Sequence, residues 1–502
     1  MSTTVWITGD QCTLRNSALK AADKTRCRVL MIESTARGKQ ISYHKKKLVL
    51  IYSVMRHFAE ELRHDGWIVD YYYEHPDFES AVKDHLQKHD PKTVSLMEQS
   101  EFGANERLSQ LLGERHVQFL PHCNFISTAA EFESLHTTPD ARVTMERFYR
   151  TMRKKTGLLM DDGVPAGGEW NYDKTNRHPP ADDFVFSAPP QFPPDEITLD
   201  VMRMVNKHFA DHPGTTDNWM LAVTREDAEK AAKDFLDKRL DEFGPHQDAM
   251  LHGQPFLNHS VLSPYINTCL LDPLELCREA EMRYIKKKAR LASVEGFIRQ
   301  VIGWREFVWR VYWRLMPEYK TRNFLDSHFP IPDFFWTADT KMRCMSDALQ
   351  TTIDHGYAHH IVRLMLLGNF SLIAGLDPLA VNDWFTEMFV DGYDWVMVPN
   401  VIGMTLHADG GYVGTKPYAA SANYINRMSD YCKQCYFDPK KATGDRACPF
   451  NSLYWDFLLR NEKQLRGNHR MAMVMNGLET RSATWKTSIR ERVKEMRAQG
   501  II

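Results

Sequence analysis

The sequence predicts a Rossmann-like α/β domain with a parallel sheet, followed by a larger all-α domain. Three observations carry that expectation. Over the first ~125 residues short apolar runs alternate with amphipathic stretches, as strands alternate with crossover helices. Residues 160–200 are rich in proline and glycine. From residue 196 onward helical periodicity dominates and no convincing alternating strand is found. The expected boundaries are 1–130 for the α/β domain, 131–200 for the connection and 201–502 for the helical domain.

The elements follow in order. Thr4-Val-Trp-Ile-Thr8 forms the first strand and breaks at Gly9-Asp10-Gln11. Arg28 to Glu33 is the second, and an amphipathic helix runs from Lys45 to His64. Trp67 to Tyr73, Val94 to Met97 and Val117 to Leu120 supply three more strands. Ligands bind at the loops after such strands, but the Gly9 loop lacks GxGxxG, so the pattern gives a dinucleotide no support there. The connection contains Asp161-Asp-Gly-Val-Pro-Ala-Gly-Gly168 and prolines 179, 180, 189, 190, 193 and 194, the composition of an extended crossover. Thr224 to Phe243, Val294 to Leu315 and His359 to Ala374 then read as helices.

At 502 residues the chain exceeds one ordinary core, and 43% hydrophobic with 25% charged residues fits a folded globular protein. The net charge of −2 excludes a global basic field, so nucleic-acid binding must rest on local patches. No signal peptide and no membrane-spanning stretch is apparent, so the expected compartment is cytoplasmic, with no membrane partner.

Five of the nine cysteines, Cys12, Cys27, Cys123, Cys269 and Cys277, are scattered singly and read as reduced packing residues. The other four, Cys344, Cys432, Cys435 and Cys448, form a set of soft ligands for zinc or an iron–sulfur cluster. Spacing alone leaves both open. A single CxxC and the Cys448-Pro449 ending lean toward iron and sulfur.

Tyr357-Ala-His-His360 opens an apolar helix that also carries Arg363. Vicinal histidines can supply protons near neutral pH or form a hydrogen-bonded core pair. Trp304, Trp309, Trp313, Trp336, Trp384, Trp395 and Trp455 read as core unless a redox cofactor is implied. Asn258-His-Ser-Val-Leu-Ser263 is a polar turn opening a helix, where free N–H groups suit a pyrophosphate or merely cap. Basic and aromatic residues cluster at Arg147 to Lys155 and at Lys416-Pro-Tyr418, where a phosphate backbone or bulk solvent could meet them.

Together these segments resemble the photolyase/cryptochrome superfamily, most closely its iron–sulfur bacterial branch with the prokaryotic (6-4) photolyases. The N-terminal resemblance is carried by His44-Lys-Lys-Lys47, Met55-Arg-His-Phe-Ala-Glu-Glu-Leu62 and Lys155-Thr-Gly-Leu-Leu-Met160. Further on it is carried by Gly303-Trp-Arg-Glu-Phe307, Tyr357-Ala-His-His360, Gly414-Thr-Lys-Pro-Tyr-Ala-Ala420 and Asn423 to Tyr431, with the cysteine spacing. The resemblance implies an antenna domain, a helical FAD domain and light-driven repair of (6-4) photoproducts in UV-damaged DNA by a monomer. It makes Cys344, Cys432, Cys435 and Cys448 ligands of a [4Fe–4S] cluster. It implies flavin contacts for His259, Ser260, Val261, Leu262, Ser263, Gln300, Arg363, Asp391 and Met397. His359 and His360 become the catalytic pair, and Trp384 and Trp336 the electron-transfer stations. Arg153, Lys154, Lys416, Tyr418 and Tyr424 become DNA contacts.

A 6,7-dimethyl-8-ribityllumazine antenna is a further implication, although Arg37 stands where an acid is expected. Met397 replaces a polar or acidic residue near flavin N5, and Phe385 stands where relatives can carry tyrosine. The alternatives are a blue-light receptor that does not repair and a non-catalytic iron–sulfur protein that binds nucleic acid.

Overall fold

The structure is a computed structural model and describes residues 3–138, 141–179 and 184–502. Pro180 of the expected connection lies outside them. Five parallel strands form the N-terminal sheet: β1 (Thr3–Trp6), β2 (Cys27–Ser34), β3 (Ile68–His75), β4 (Thr93–Met97) and β5 (His116–Leu120). Their order is β3-β2-β1-β4-β5, so the chain reverses direction across the sheet at β1, between β2 and β4. The central strands are apolar on both faces, as a sheet covered by helices on both sides requires. All five strands fall where the apolar runs placed them, within two residues at each end.

The helix α1 (Lys45–His64) buries Leu48, Val49, Tyr52, Met55, Phe58, Ala59 and Leu62 at helical spacing. Its first turn is capped by the His44 imidazole, which accepts from the Lys46 N–H at 3.1 Å. Helix α2 (Phe78–His89) covers the other side of the sheet, packing Ala81, Val82 and Leu86 with Trp6, Leu30 and Ile32. Beyond the α/β layer come α3 (Met145–Thr156), α4 (Glu306–Leu315), α5 (Arg343–His355), α6 (Pro378–Met388) and α7 (Pro449–Arg460). Among the described residues no helix is long and apolar enough to cross a membrane.

Two of the predicted long helices are interrupted. The stretch from Val294 to Leu315 passes through a π-helical segment at Arg299–Arg305 before α4. The stretch after His359 contains another at Arg363–Gly368, and a third lies at Pro399–Thr405. Widened turns of this kind displace side chains from the regular helical face and recur at functional sites. Glycine lets two of them cross: a Cβ on Gly368 would lie 2.2 Å from Thr405 Cγ2. The stretch from Thr224 to Phe243 also divides, ending at Lys238 and restarting at Leu240.

The sequence segments that carried the resemblance hold the two layers together. His44 Nε2 bonds the Ile353 carbonyl at 2.8 Å, and Lys46 Nζ donates to the Asp354 carbonyl at 2.6 Å. Lys47 Nζ donates to the carbonyls of Thr386 and Gly392. From the other side, Glu306 accepts at one oxygen from the Ile126 and Ser127 N–H groups (3.0 and 2.8 Å) and from Ser127 Oγ (2.7 Å).

Candidate active site

All three π-helical segments open onto one cavity of about 810 Å³, a volume typical of cofactor sites. Gln300 and Trp304 come from the first segment, Arg363 and Met365 from the second, Asn400 and Met404 from the third. The structure thus gathers residues scattered from 145 to 470 in the sequence.

Its electrostatic anchor is a bidentate pair. Arg363 Nη1 and Nη2 donate to Asp391 Oδ1 and Oδ2 at 2.9 and 3.1 Å. Ser263 Oγ donates to the same carboxylate at 2.5 Å, and Asn267 Nδ2 to the Asp391 carbonyl at 3.1 Å. Arg363 also lies 4.0 Å from the Phe389 ring centroid. The Arg–Asp pair is therefore fixed before any ligand arrives.

The histidines separate into two roles. His359 is buried and stacks on His259, with ring centroids 4.2 Å apart and planes at 11°. His360 is on the cavity wall and His359 is not. His360 presents an exposed side chain to the cavity, and desolvation by the surrounding wall, reinforced by the Arg363 cation, pushes its pKa down to about 4. Burial also takes His259 down to about 3 and His359 well below the usual imidazole range. His259 Nε2 and His359 Nδ1 are buried without a hydrogen-bond partner. Orphaned polar atoms beside a cavity fit a site whose ligand completes the hydrogen bonding.

Of the other expected flavin contacts, Ser260, Ser263, Gln300 and Met397 line the cavity with His259. Val261 and Leu262 are buried and lie outside its wall. They shape the turn instead, with Val261 in the left-handed region at φ 56°. Phe385 lines the cavity and meets Trp384 edge-on at 5.2 Å. Trp384 in turn meets Phe335 at 5.1 Å, and the next residue, Trp336, is 44% exposed. An aromatic series of Phe385, Trp384 and Phe335 therefore leads away from the cavity.

Lys416, Tyr418 and Tyr424 also line the cavity and are partly exposed. The expectation for Arg153 does not hold. It is completely buried and donates to the carbonyls of Leu158, Trp170 and Leu159, so it braces the turn after α3 and cannot reach DNA. Its neighbour Lys154 is exposed, with Nζ 5.8 Å from the Trp170 ring, away from the cavity wall. Two exposed cations on the wall, Arg177 and Arg470, were not expected. Arg177 follows Trp170, Tyr172 and Lys174, and Arg470 follows Arg466 and His469, but only folding brings the two to one wall.

The four cysteines converge on a second, small apolar pocket shared with Met342, Ile425 and Phe450. Cys344 is on α5, Cys432 on a short turn, and Cys448 caps α7. None of the four is in a disulfide. Burial raises Cys448 to about 12 and Cys432 to about 11, and it raises Cys344 well above the usual thiol range, with the other three cysteines adding to the burial effect. Thiols held up in this way ionise when a metal cation compensates the charge. No three of the sulfurs lie within 4.8 Å of one another.

A parallel α/β layer latched to a helical layer around such a cavity defines the photolyase/cryptochrome class. Over 99% of this chain and 98% of the relative, the sequence is 45% identical to a (6-4) photolyase of Agrobacterium fabrum. Residues 5–220 match the family described as deoxyribodipyrimidine photo-lyase-related protein. The chain belongs to the photolyase/cryptochrome family, on the branch of the bacterial (6-4) photolyases. The fold is also that of a class III photolyase from Agrobacterium tumefaciens, with TM-score 0.57 at 16% identity, covering 99% of this chain and 97% of that one. The cryptochrome of Synechocystis sp. PCC6803 matches with TM-score 0.59 at 12% identity over 98% of both chains.

Proposed function

We propose that this protein repairs (6-4) pyrimidine photoproducts in UV-damaged DNA with light, using FAD in the 810 Å³ cavity. The observation that carries the reading is the convergence of the Arg363–Asp391 pair and His360 on one wall, in a chain 45% identical to a (6-4) photolyase. When bound, reduced FAD supplies light-driven donation of one electron to a flipped-out base lesion, and later recovery of that electron.

The chain's own residues do the rest. Arg363 compensates negative charge in a desolvated pocket, and Asp391 with Ser263 holds its guanidinium in place. His360 delivers a proton to the lesion. The protein packed around it and the Arg363 cation favour its neutral form, and negative charge from a bound cofactor or a DNA phosphate would favour the protonated form. His259 and His359 support it as a stacked, neutral pair. Trp384 and Trp336 act as stations for re-reducing the cofactor. Lys416, Tyr418 and Tyr424, joined by Arg177 and Arg470, receive the DNA, with aromatic faces for displaced bases.

The cysteines take a [4Fe–4S] cluster in this reading. The single CxxC and the Cys448-Pro449 ending support iron and sulfur over zinc. The lumazine antenna is assigned to the N-terminal layer, where Arg37 is already tied to Glu101 (2.9 Å) and Tyr43 (2.9 Å).

Met397 favours a second reading, a blue-light receptor without repair activity, because a thioether on the cavity wall cannot donate a proton to flavin N5. Illumination of reduced, flavin-loaded protein with an oligonucleotide carrying one (6-4) lesion separates the two. Restored bases support repair; intact lesions despite flavin photoreduction establish the receptor. The absorption spectrum of the purified protein checks the cofactors, and a cluster band without flavin bands would return the non-catalytic iron–sulfur reading.

A further inference from the structure

The N-terminal layer contains a group of donor atoms that the repair site does not use. His85 and His89 lie four residues apart on one face of α2 and look onto Asp70 of β3. Asp70 Oδ2 is 3.6 Å from His85 Nδ1 and 3.2 Å from His89 Nε2. All three donor atoms lie within 4.8 Å of one another. We infer that Asp70 Oδ2, His85 Nδ1 and His89 Nε2 form a three-ligand site for a first-row divalent cation, with zinc as the best match.

Four features favour coordination over a plain hydrogen-bonded cluster. First, both nitrogens are buried and neither makes a hydrogen bond, although each is close to the carboxylate. An N–H donating to Asp70 would be directed along its ring axis, and these contacts miss that alignment. Second, the two oxygen–nitrogen separations are close to those zinc imposes. Ligand arms of about 2.0–2.1 Å in a tetrahedron put N and O donors about 3.3 Å apart. Third, the outer contacts set the donors correctly. His85 Nε2 is 2.9 Å from Thr4 Oγ1, and an N–H given to that hydroxyl leaves a bare lone pair on Nδ1. Fourth, Arg28 Nη1 contacts the carboxylate at Oδ1 (3.1 Å) and Oδ2 (3.3 Å), which fixes the orientation of Asp70. The Arg28 cation lowers affinity for a divalent ion, so the site is weaker than a cysteine site. Two histidines and one carboxylate leave a fourth position for water. A bound ion would pin α2 to β3 and, through Thr4, to β1.

The test is zinc content. Wild-type holoprotein, with flavin and cluster as isolated, is equilibrated with zinc, desalted and measured by elemental analysis beside His89→Ala and Asp70→Asn. The cysteine pocket is common to all three and cancels in the difference. The expected result is about one zinc per chain more in the wild type than in either variant. Zinc should also raise the melting temperature of the wild type alone, since a ligand of the native state stabilises it. Equal zinc in wild type and variants overturns the proposal. Should a variant fail to fold, anomalous scattering from a zinc-soaked wild-type crystal decides. A peak among residues 70, 85 and 89 supports the site, and no peak there overturns it.

Discussion

The large cavity and the cysteine pocket show how one helical domain builds two kinds of pocket. The cavity is wide, walled by three π-helical segments, and keeps buried polar atoms without partners beside it. The cysteine pocket is small and apolar, and its polar atoms are the thiols themselves. One leaves room for a large ligand; the other is small and joins α5 to α7 through Cys344 and Cys448. Interrupted helices make space for chemistry, while regular helix ends bring ligands together for bracing.

The first way to break this contrast is Cys344→Ser. It should reduce iron to background and lower the melting temperature, while protein that remains folded keeps flavin. Loss of flavin in proportion to iron would show that the two sites are not independent. Arg363→Ala attacks the other side. It leaves Asp391 buried and unpaired, which costs about 3–5 kcal/mol by comparison with other broken buried pairs. Chemical denaturation should show that loss together with weakened flavin binding, whereas unchanged flavin retention would remove the pair from the cofactor site. A smaller loss, about 2–3 kcal/mol, is expected for Glu306→Ala, because buried donors on Ile126 and Ser127 lose their acceptor. It should loosen the N-terminal layer without altering iron content, as hydrogen exchange in the two layers would reveal.

Lys47 couples the contact between the two layers to pH. Burial holds its pKa down at about 7 against the ordinary 10.5. The unfolded chain therefore binds the proton more tightly than the folded one, and stability rises with pH between about 7 and 10.5 and is flat, for this group, below that window. Denaturation midpoints of Lys47→Met should lose that rise; an identical pH profile would place the compensation elsewhere.

The sheet was legible because its strands are short apolar runs separated by amphipathic helices, a pattern with little ambiguity. The cysteine set was legible because CxxC and Cys-Pro are local. The cavity was legible only in pieces. Arg363, Asp391 and His360 could be marked through resemblance, but the π-helical turns that aim them have no local signature in an apolar helix. Arg153 misled because a basic run looks solvated, although one member of the run turns inward to collect three carbonyls. The His85–His89 pair was readable as a helical i, i+4 spacing. Its partner Asp70 lies on another element, so the cluster became visible only in the fold.

The claim that binds these points is that His360, and not the cysteine pocket, handles the chemistry of repair. Turnover of a (6-4)-containing oligonucleotide by His360→Ala, with flavin and iron measured in the same sample, tests it most directly. The account predicts lost repair with flavin and iron retained. Wild-type turnover in that variant would contradict it.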